Sequence, residues 1–390
     1  MRPATTTATT AMAAFTAALL LASALAQAQA PDVQAKTALT DSTAAPLAGT
    51  RRVAITNVVI SFQASAGGEK TNTSGLFAAK TDASATLQMP EMDTRLLAEI
   101  ADEAYKQLRL DLQANGFEVL PEAEVVASPA YKKILAMAGY TNFSKFANMN
   151  GDVMLVGATG LTPYLTYNAE TGKFEATAKS LIKGWIASNW GTKSSTEGGP
   201  TGIRLGEIYA LPGLEVDLAK ELNANLVKAN YVVTLGSTKA SAKSSFAGSN
   251  AALGTNSFKN SYQGSAYAQV GLLAGQSRIA FRTPAASSKG ESASRGYTAN
   301  FGSNASPAKD GDVVVCLAES LLGSTEVFAI AEPETKKSSL LGSLLGAGGG
   351  TGADVQFAFT ASIGDPAAYR AEVVGMLKVA QRDMLALVKR

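Results

Sequence analysis

The sequence predicts an α/β (α+β) protein, a mixed sheet flanked by helices, with a β-rich insertion and additional C-terminal strands and a helix. Three observations predict it. Short, nearly continuous apolar runs, such as Arg52-Val-Ala-Ile-Thr-Asn-Val-Val-Ile-Ser-Phe, suit strands buried on both faces. Between them stand segments whose apolar residues recur at three- and four-residue spacing, the period of a helix packed on one side. Strand, helix, strand, helix, strand in succession defines an α/β layer.

The first residues stand outside that fold. Arg2, a Thr/Ala stretch and an apolar run from Ala11 to Ala26 end in small residues, the pattern of a cleavable secretory signal peptide, assigned to 1–28. The run is shorter than the about 20 apolar residues a membrane-spanning helix needs, so no transmembrane helix is expected in the mature chain. The cleavage region has no cysteine of the kind that carries the lipid of a bacterial lipoprotein. A periplasmic or secreted location follows as the expectation. Residues 29–50 are small and polar without period and read as a disordered leader.

An α/β domain is assigned to 51–282, opening on the strand at Arg52. Residues 63–90 read as a long loop or hairpin. Asp93 then caps a helix whose apolar face is Leu97, Ile100, Ala101, Ala104, Leu108 and Leu112, and Gly116 ends it. A short strand, Phe117-Glu-Val-Leu, a helix from Pro129 to Ala138 and a buried strand, Asp152-Val-Met-Leu-Val-Gly, complete the layer. Residues 161–203 break the rhythm with a hairpin turning near Gly172. Helical spacing resumes at Leu214, Leu218 and Leu222, with Pro212 as the expected start. Two long β segments, Tyr231 to Phe246 and Ser265 through Phe281, read as an antiparallel pair. A polar linker is assigned to 283–311. Residues 312–390 complete the same domain with strands at Asp312 to Leu317, Glu326 to Ile330 and Asp354 to Ala361. A last helix, capped by Asp365-Pro366, presents Tyr369, Val373, Met376, Leu377, Ala380, Met384 and Val388.

Composition restricts the chemistry. The chain has no histidine, which removes Ser-His-Asp and Cys-His nucleophile systems and the common zinc sites. Its single cysteine, Cys316, lies in an apolar strand run and reads as a small core residue. Formal net charge is +2 with 17% charged residues and no basic stripe, so no nucleic-acid partner is expected. A carboxylate pair or a Ser-Lys dyad stays chemically open, but no linear spacing picks one out. No catalytic, metal or cofactor-binding residue is therefore assigned.

The glycine-rich GAGGGTGAD at 346–354 comes within one residue of the phosphate loop of tubulin-like GTPases. A phosphate loop needs a strand before it and a helix after it, so that free backbone N–H groups meet the anion. Here Ser338-Ser-Leu-Leu-Gly-Ser-Leu-Leu precedes, a strand-like Val355-Gln-Phe-Ala-Phe follows, and Asp354 would repel phosphate. A linker without cofactor is the expectation.

Tyr164, Tyr167, Phe174, Trp185 and Trp190 concentrate aromatics in the insertion 161–203. Tyr164, Tyr167, Trp185 and Trp190 are the candidate contacts for a glycan or a partner, since stacked rings hold sugars. The plainer alternative, an irregular insertion using large side chains as its own small core, is preferred.

The order from Arg52 to Phe281 resembles a bacterial envelope family that includes the curli secretion channel subunit and the lipoprotein activator of penicillin-binding proteins. The residues that carry the resemblance are Arg52-Val-Ala-Ile55, Gly116-Phe-Glu-Val-Leu120, and Ala229-Asn-Tyr-Val-Val-Thr-Leu-Gly236 with a partner strand from Val270 to Phe281. The resemblance implies assembly, secretion or scaffolding. The chain departs from the pattern in lacking the lipid-bearing cysteine, in its aromatic insertion and in extra strands after 310. The expected function is that of a non-catalytic exported envelope protein, a binding or assembly platform whose partners are other envelope proteins or itself. The alternatives are an exported glycan-binding or glycan-cleaving protein, with polysaccharide or peptidoglycan as partner, and an oligomeric surface or pore-forming protein with amphipathic hairpins at 63–90 or 237–270.

Overall fold

The computed structural model describes residues 37–39, 47, 50–67, 71–73, 81–139, 141–148, 151–164, 167–168, 173–174, 205–250, 255–274, 276–284, 312–339 and 353–388. The N-terminal half holds β1 (Thr37–Leu39), β2 (Arg52–Gln63), β3 (Ser65–Gly67), β4 (Thr71–Thr73), β5 (Thr81–Gln88), α1 (Thr94–Ala114), β6 (Glu118–Val119), α2 (Glu122–Ala127), α3 (Pro129–Ala138), β7 (Ser144–Asn148), β8 (Gly151–Gly157), β9 (Tyr167–Asn168) and β10 (Lys173–Phe174). The remainder holds α4 (Leu205–Leu222), β11 (Asn225–Asn250), β12 (Thr255–Leu272), β13 (Arg278–Arg282), β14 (Asp312–Leu317), β15 (Leu321–Leu322), β16 (Phe328–Ile330), β17 (Glu334–Ser339), β18 (Ala353–Ile363) and α5 (Pro366–Ala386). This is the mixed α+β architecture that the patterning predicts.

The first sheet runs β1-β14-β13-β11-β2-β8-β7. Its centre is β2, buried at every position from Val53 to Phe62, as a strand covered by helices on both sides must be. β2 pairs in parallel with β11 and antiparallel with β8. Within the segment read as a leader, Thr37–Leu39 form β1 and pair with β14.

Helices cover both faces. α1 is capped by the Asp93 carboxylate, which accepts from the N–H groups of Arg95 and Leu96 at 2.9 and 3.3 Å. Its buried face includes the six predicted residues, joined by Leu96. α5, capped in the same way by Asp365, packs beside α1. Together they close the larger core over Val53, Ile55, Ile60, Val227, Tyr231 and Phe281. Gln381 of α5, fully buried, donates to the Ala104 carbonyl and the Tyr231 hydroxyl, both at 3.0 Å, so one amide ties α5 to α1 and to β11. On the opposite face α3 and α4 close a second core over Ala54 and Leu226 with Tyr131, Ile134, Leu218 and Ala219. α4 starts at Leu205, earlier than the expected Pro212. The apolar spacing already runs through Ile208 and Leu211, and the helix continues through Pro212 although proline removes a backbone donor and its ring crowds the carbonyl four residues earlier.

A second sheet, absent from the sequence reading, occupies part of the segment read as a loop or hairpin. β18 pairs with β5 in parallel, β3 and β4 pair with β5, and β16 and β17 pair with β18. It stacks on the outer half of β11 and β12 through a core of Ala66, Ala83, Ala85, Leu87, Leu235, Ala240, Ala242, Ala268, Phe359 and Ala361. Small side chains on both layers let the sheets approach closely. Gly264 shows the constraint: a Cβ there would run into the Phe357 ring. A single residue, Ala64, separates β2 from β3, so the central strand of one sheet continues into the other.

Candidate functional site

Two features stand out, a buried charge cluster beneath α4 and a cleft of mixed lining beside the β11–β12 ribbon. The cluster follows from strand register. Leu226 faces Arg282 across the β11–β13 ladder, and Lys228 lies two residues further along β11 toward α4. α4 supplies Glu215, which is 2% exposed. The Lys228 ammonium donates to both carboxylate oxygens at 3.0 Å, and Arg282 Nε lies 2.9 Å from Oε2. Lys228 is 4% exposed and Arg282 5%, so the carboxylate meets both cations away from water.

Tyr164 closes the cluster. Its hydroxyl is 3.4 Å from Glu215 Oε1, to which it donates, and 2.9 Å from Thr56 Oγ1. Asn57 Nδ2 donates to the Tyr164 carbonyl at 2.8 Å, and the Tyr164 ring meets Tyr131 edge-on at 6.3 Å. Thr56 and Asn57 are offered together because the β2–β11 register slips by one residue, pairing Val227 with Ile55 but Lys228 with Asn57, a bulge of the kind that re-aims side chains. Burial, and then the neighbouring Glu215 charge, push the Tyr164 phenol well above its ordinary range. Burial and Glu122 push the Tyr131 phenol up as well. Both oxygens of Glu215 are engaged, so the cluster is built to clamp α4 onto the sheet, a task that needs close partners on a buried charge.

The candidate contact residues separate. Tyr164 is fully buried, which corrects its assignment as an accessible contact: its ring fills the core and its hydroxyl serves the cluster. Tyr167 pairs through its backbone with Phe174 in the two-stranded β9–β10 unit. Trp185 and Trp190 lie outside the described residues. Of GAGGGTGAD only Ala353 and Asp354 are described, and they open β18, in keeping with a glycine stretch that leads into a strand. Cys316 is buried in β14, as expected of a core residue.

The cleft has a volume of about 1220 Å³. Its lining takes in Gln63, Ser237, Lys239, Gln263, Ser265 and Gln276. At its inner end β11 bulges at Gly236, whose φ of +140° and contact with the Tyr267 carbonyl exclude a side chain. Gln63 Oε1 accepts the Leu235 N–H at 3.0 Å there. Beyond the bulge the ribbon alternates. Thr238, Ala240 and Ala242 are buried against the second sheet, while Ser237, Lys239, Gln263 and Ser265 are exposed. Sequence reasoning missed the cleft because its walls meet only when the second sheet forms. The charge cluster left a signal, a lysine within the apolar run Leu226-Val-Lys-Ala.

Among the described residues no group of histidine, cysteine or acidic side chains is disposed to hold a metal, and no helix is long and apolar enough to cross a membrane. No family model, curated protein or solved structure matches the chain.

Proposed function

We propose that the chain is a non-catalytic exported envelope protein that acts as a binding or assembly platform, with the β11–β12 ribbon as its working surface. The observation that carries this reading is the ribbon itself. It is paired from Val233 with Leu272 out to Asn250 with Thr255, braced on one face by the second sheet and polar on the other. A bare two-stranded ribbon is marginally stable in water, and the bracing keeps its inner part extended for a partner. The absence of histidine and the full engagement of Glu215 support a role in presenting surface over proton transfer. The resemblance of the sequence pattern over Arg52 to Phe281 to the curli-secretion-like envelope family supports the same class.

The test compares affinity capture from cell envelopes by the full chain and by a variant in which residues 245–258 are replaced by a two-residue turn. One specific envelope protein recovered with the full chain and lost with the shortened ribbon is the expected result. Identical recovery by both chains, or recovery of none, would sink the platform reading.

A second reading, an oligomeric surface or pore-forming protein, is favoured by the ribbon's length. From Gly236 to Asn250 it reaches about 50 Å at about 3.3 Å per residue, and about 9–11 tilted residues cross a bilayer. Light scattering of the purified mature chain separates the two, since a discrete ring is required by this reading and a monomer is compatible only with the first. The glycan alternative built on the aromatic insertion loses Tyr164 to the core.

A further inference from the structure

The cleft beside β11 and the charge pattern of the ribbon point together to a ligand. The register of the ribbon sets one series of alternate positions, exposed at Ser237, Lys239, Ser261, Gln263, Ser265 and Tyr267: Ser237 with Tyr267, Lys239 with Ser265, Ser241 with Gln263, Lys243 with Ser261, Ser245 with Lys259. All three lysines of the ribbon, Lys239, Lys243 and Lys259, fall in this series of positions. The sequence has no aspartate or glutamate between Glu221 and Glu291, so nothing along the ribbon or its connection offsets them. Lys239 is exposed, and it is the charged residue among the described residues lining the cleft. The lining also supplies primary amides and hydroxyls, Gln63, Gln263, Gln276, Ser237 and Ser265.

We propose that this cleft binds an acidic polysaccharide, a polymer of sugar rings carrying carboxylates. Three features select that class. At about 1220 Å³ the cleft exceeds the about 300–1,000 Å³ typical of small-molecule sites, which suits a chain. Neutral amides and hydroxyls both donate and accept, which matches sugar hydroxyls. Lysines spaced along one extended face, about 13 Å apart for the Lys239–Lys243 pair at about 3.3 Å per residue, meet carboxylates repeated along a polymer. The inference stands whether or not the ribbon also seats a protein.

Isothermal calorimetry on the purified full chain tests it with three probes: polygalacturonate, neutral dextran and poly-glutamate. Polygalacturonate is expected to bind and dextran not to, with affinity falling as salt is raised. K239A/K243A/K259A is expected to weaken polygalacturonate binding about tenfold or more and to leave circular dichroism unchanged. Q263A is expected to weaken polygalacturonate binding several-fold without altering any binding of poly-glutamate, a readout that charge alone would not move. Absence of polygalacturonate binding, equal binding of dextran, or full affinity in the triple variant overturns the proposal. Poly-glutamate binding as tight as polygalacturonate overturns it in favour of an acidic polypeptide.

Discussion

At the scale of single residues, Glu215 is held from three sides, by Lys228, Arg282 and Tyr164. It is the shared partner of two cations that are otherwise nearly sealed from water, so removing its charge leaves Lys228 and Arg282 close together without it. Breaking a buried pair from one side costs about 3–5 kcal/mol, far more than the net worth of the intact pair. Glu215→Gln is therefore expected to lower stability by about 3 kcal/mol, read as a fall in the urea midpoint with an unchanged slope. Lys228→Met, which leaves Glu215 with Arg282, is expected to cost less. A wild-type midpoint for Glu215→Gln would mean that α4 is held by its apolar contacts alone. Lysine in the middle of a buried strand was visible in the sequence, but its partners were not, because they come from a helix and a strand 13 and 54 positions away, and only the fold brings them to one point.

At the scale of elements, the caps set where helices begin. Asp93 bonds two free N–H groups of α1, and Asp93→Ala is expected to cost about 1 kcal/mol in thermal or chemical unfolding. A stability within a few tenths of wild type would show that the packed face holds the first turn unaided. Elements with a strong local signal were legible in the sequence: β2, α1, β14 and α5 fall at or within a few residues of their expected limits. Each combines an apolar period with a chemical boundary, such as Asp93 or Asp365-Pro366. The second sheet was not legible. β5 is Thr-Asp-Ala-Ser-Ala-Thr-Leu-Gln, whose alternating alanines carry little hydrophobic contrast, and its parallel partner β18 lies more than 270 residues later. Parallel pairing at that range is written in the packing of small side chains against β11 and β12, which a local period cannot report. The start of α4 is hidden for the opposite reason, since Pro212 is a strong local start signal and yet lies inside a helix that begins at Leu205. Of the candidate site, the aromatic residues drew attention to Tyr164, yet its ring is a core element and the cleft lies elsewhere.

At the scale of the whole molecule, buried tyrosines tie stability to alkaline pH. Tyr131, Tyr164, Tyr231 and Tyr369 all have phenols pushed up from the ordinary value of about 10, with burial as the first cause in each. A folded value above the unfolded one means that the unfolded chain gives up these protons first. Their contribution is complete below about pH 10 and is lost as pH rises from there toward the folded values. The expected outcome is a cooperative alkaline transition in which these phenolates appear together with loss of near-ultraviolet circular dichroism. Gradual ionisation of all tyrosines with the fold intact would contradict their burial. The passage of β2 into β3 through Ala64 alone has a mechanical corollary. A pull on the outer layer would pass through one residue into the buried strand β2, whose release requires its ladders to β8 and β11 to part together.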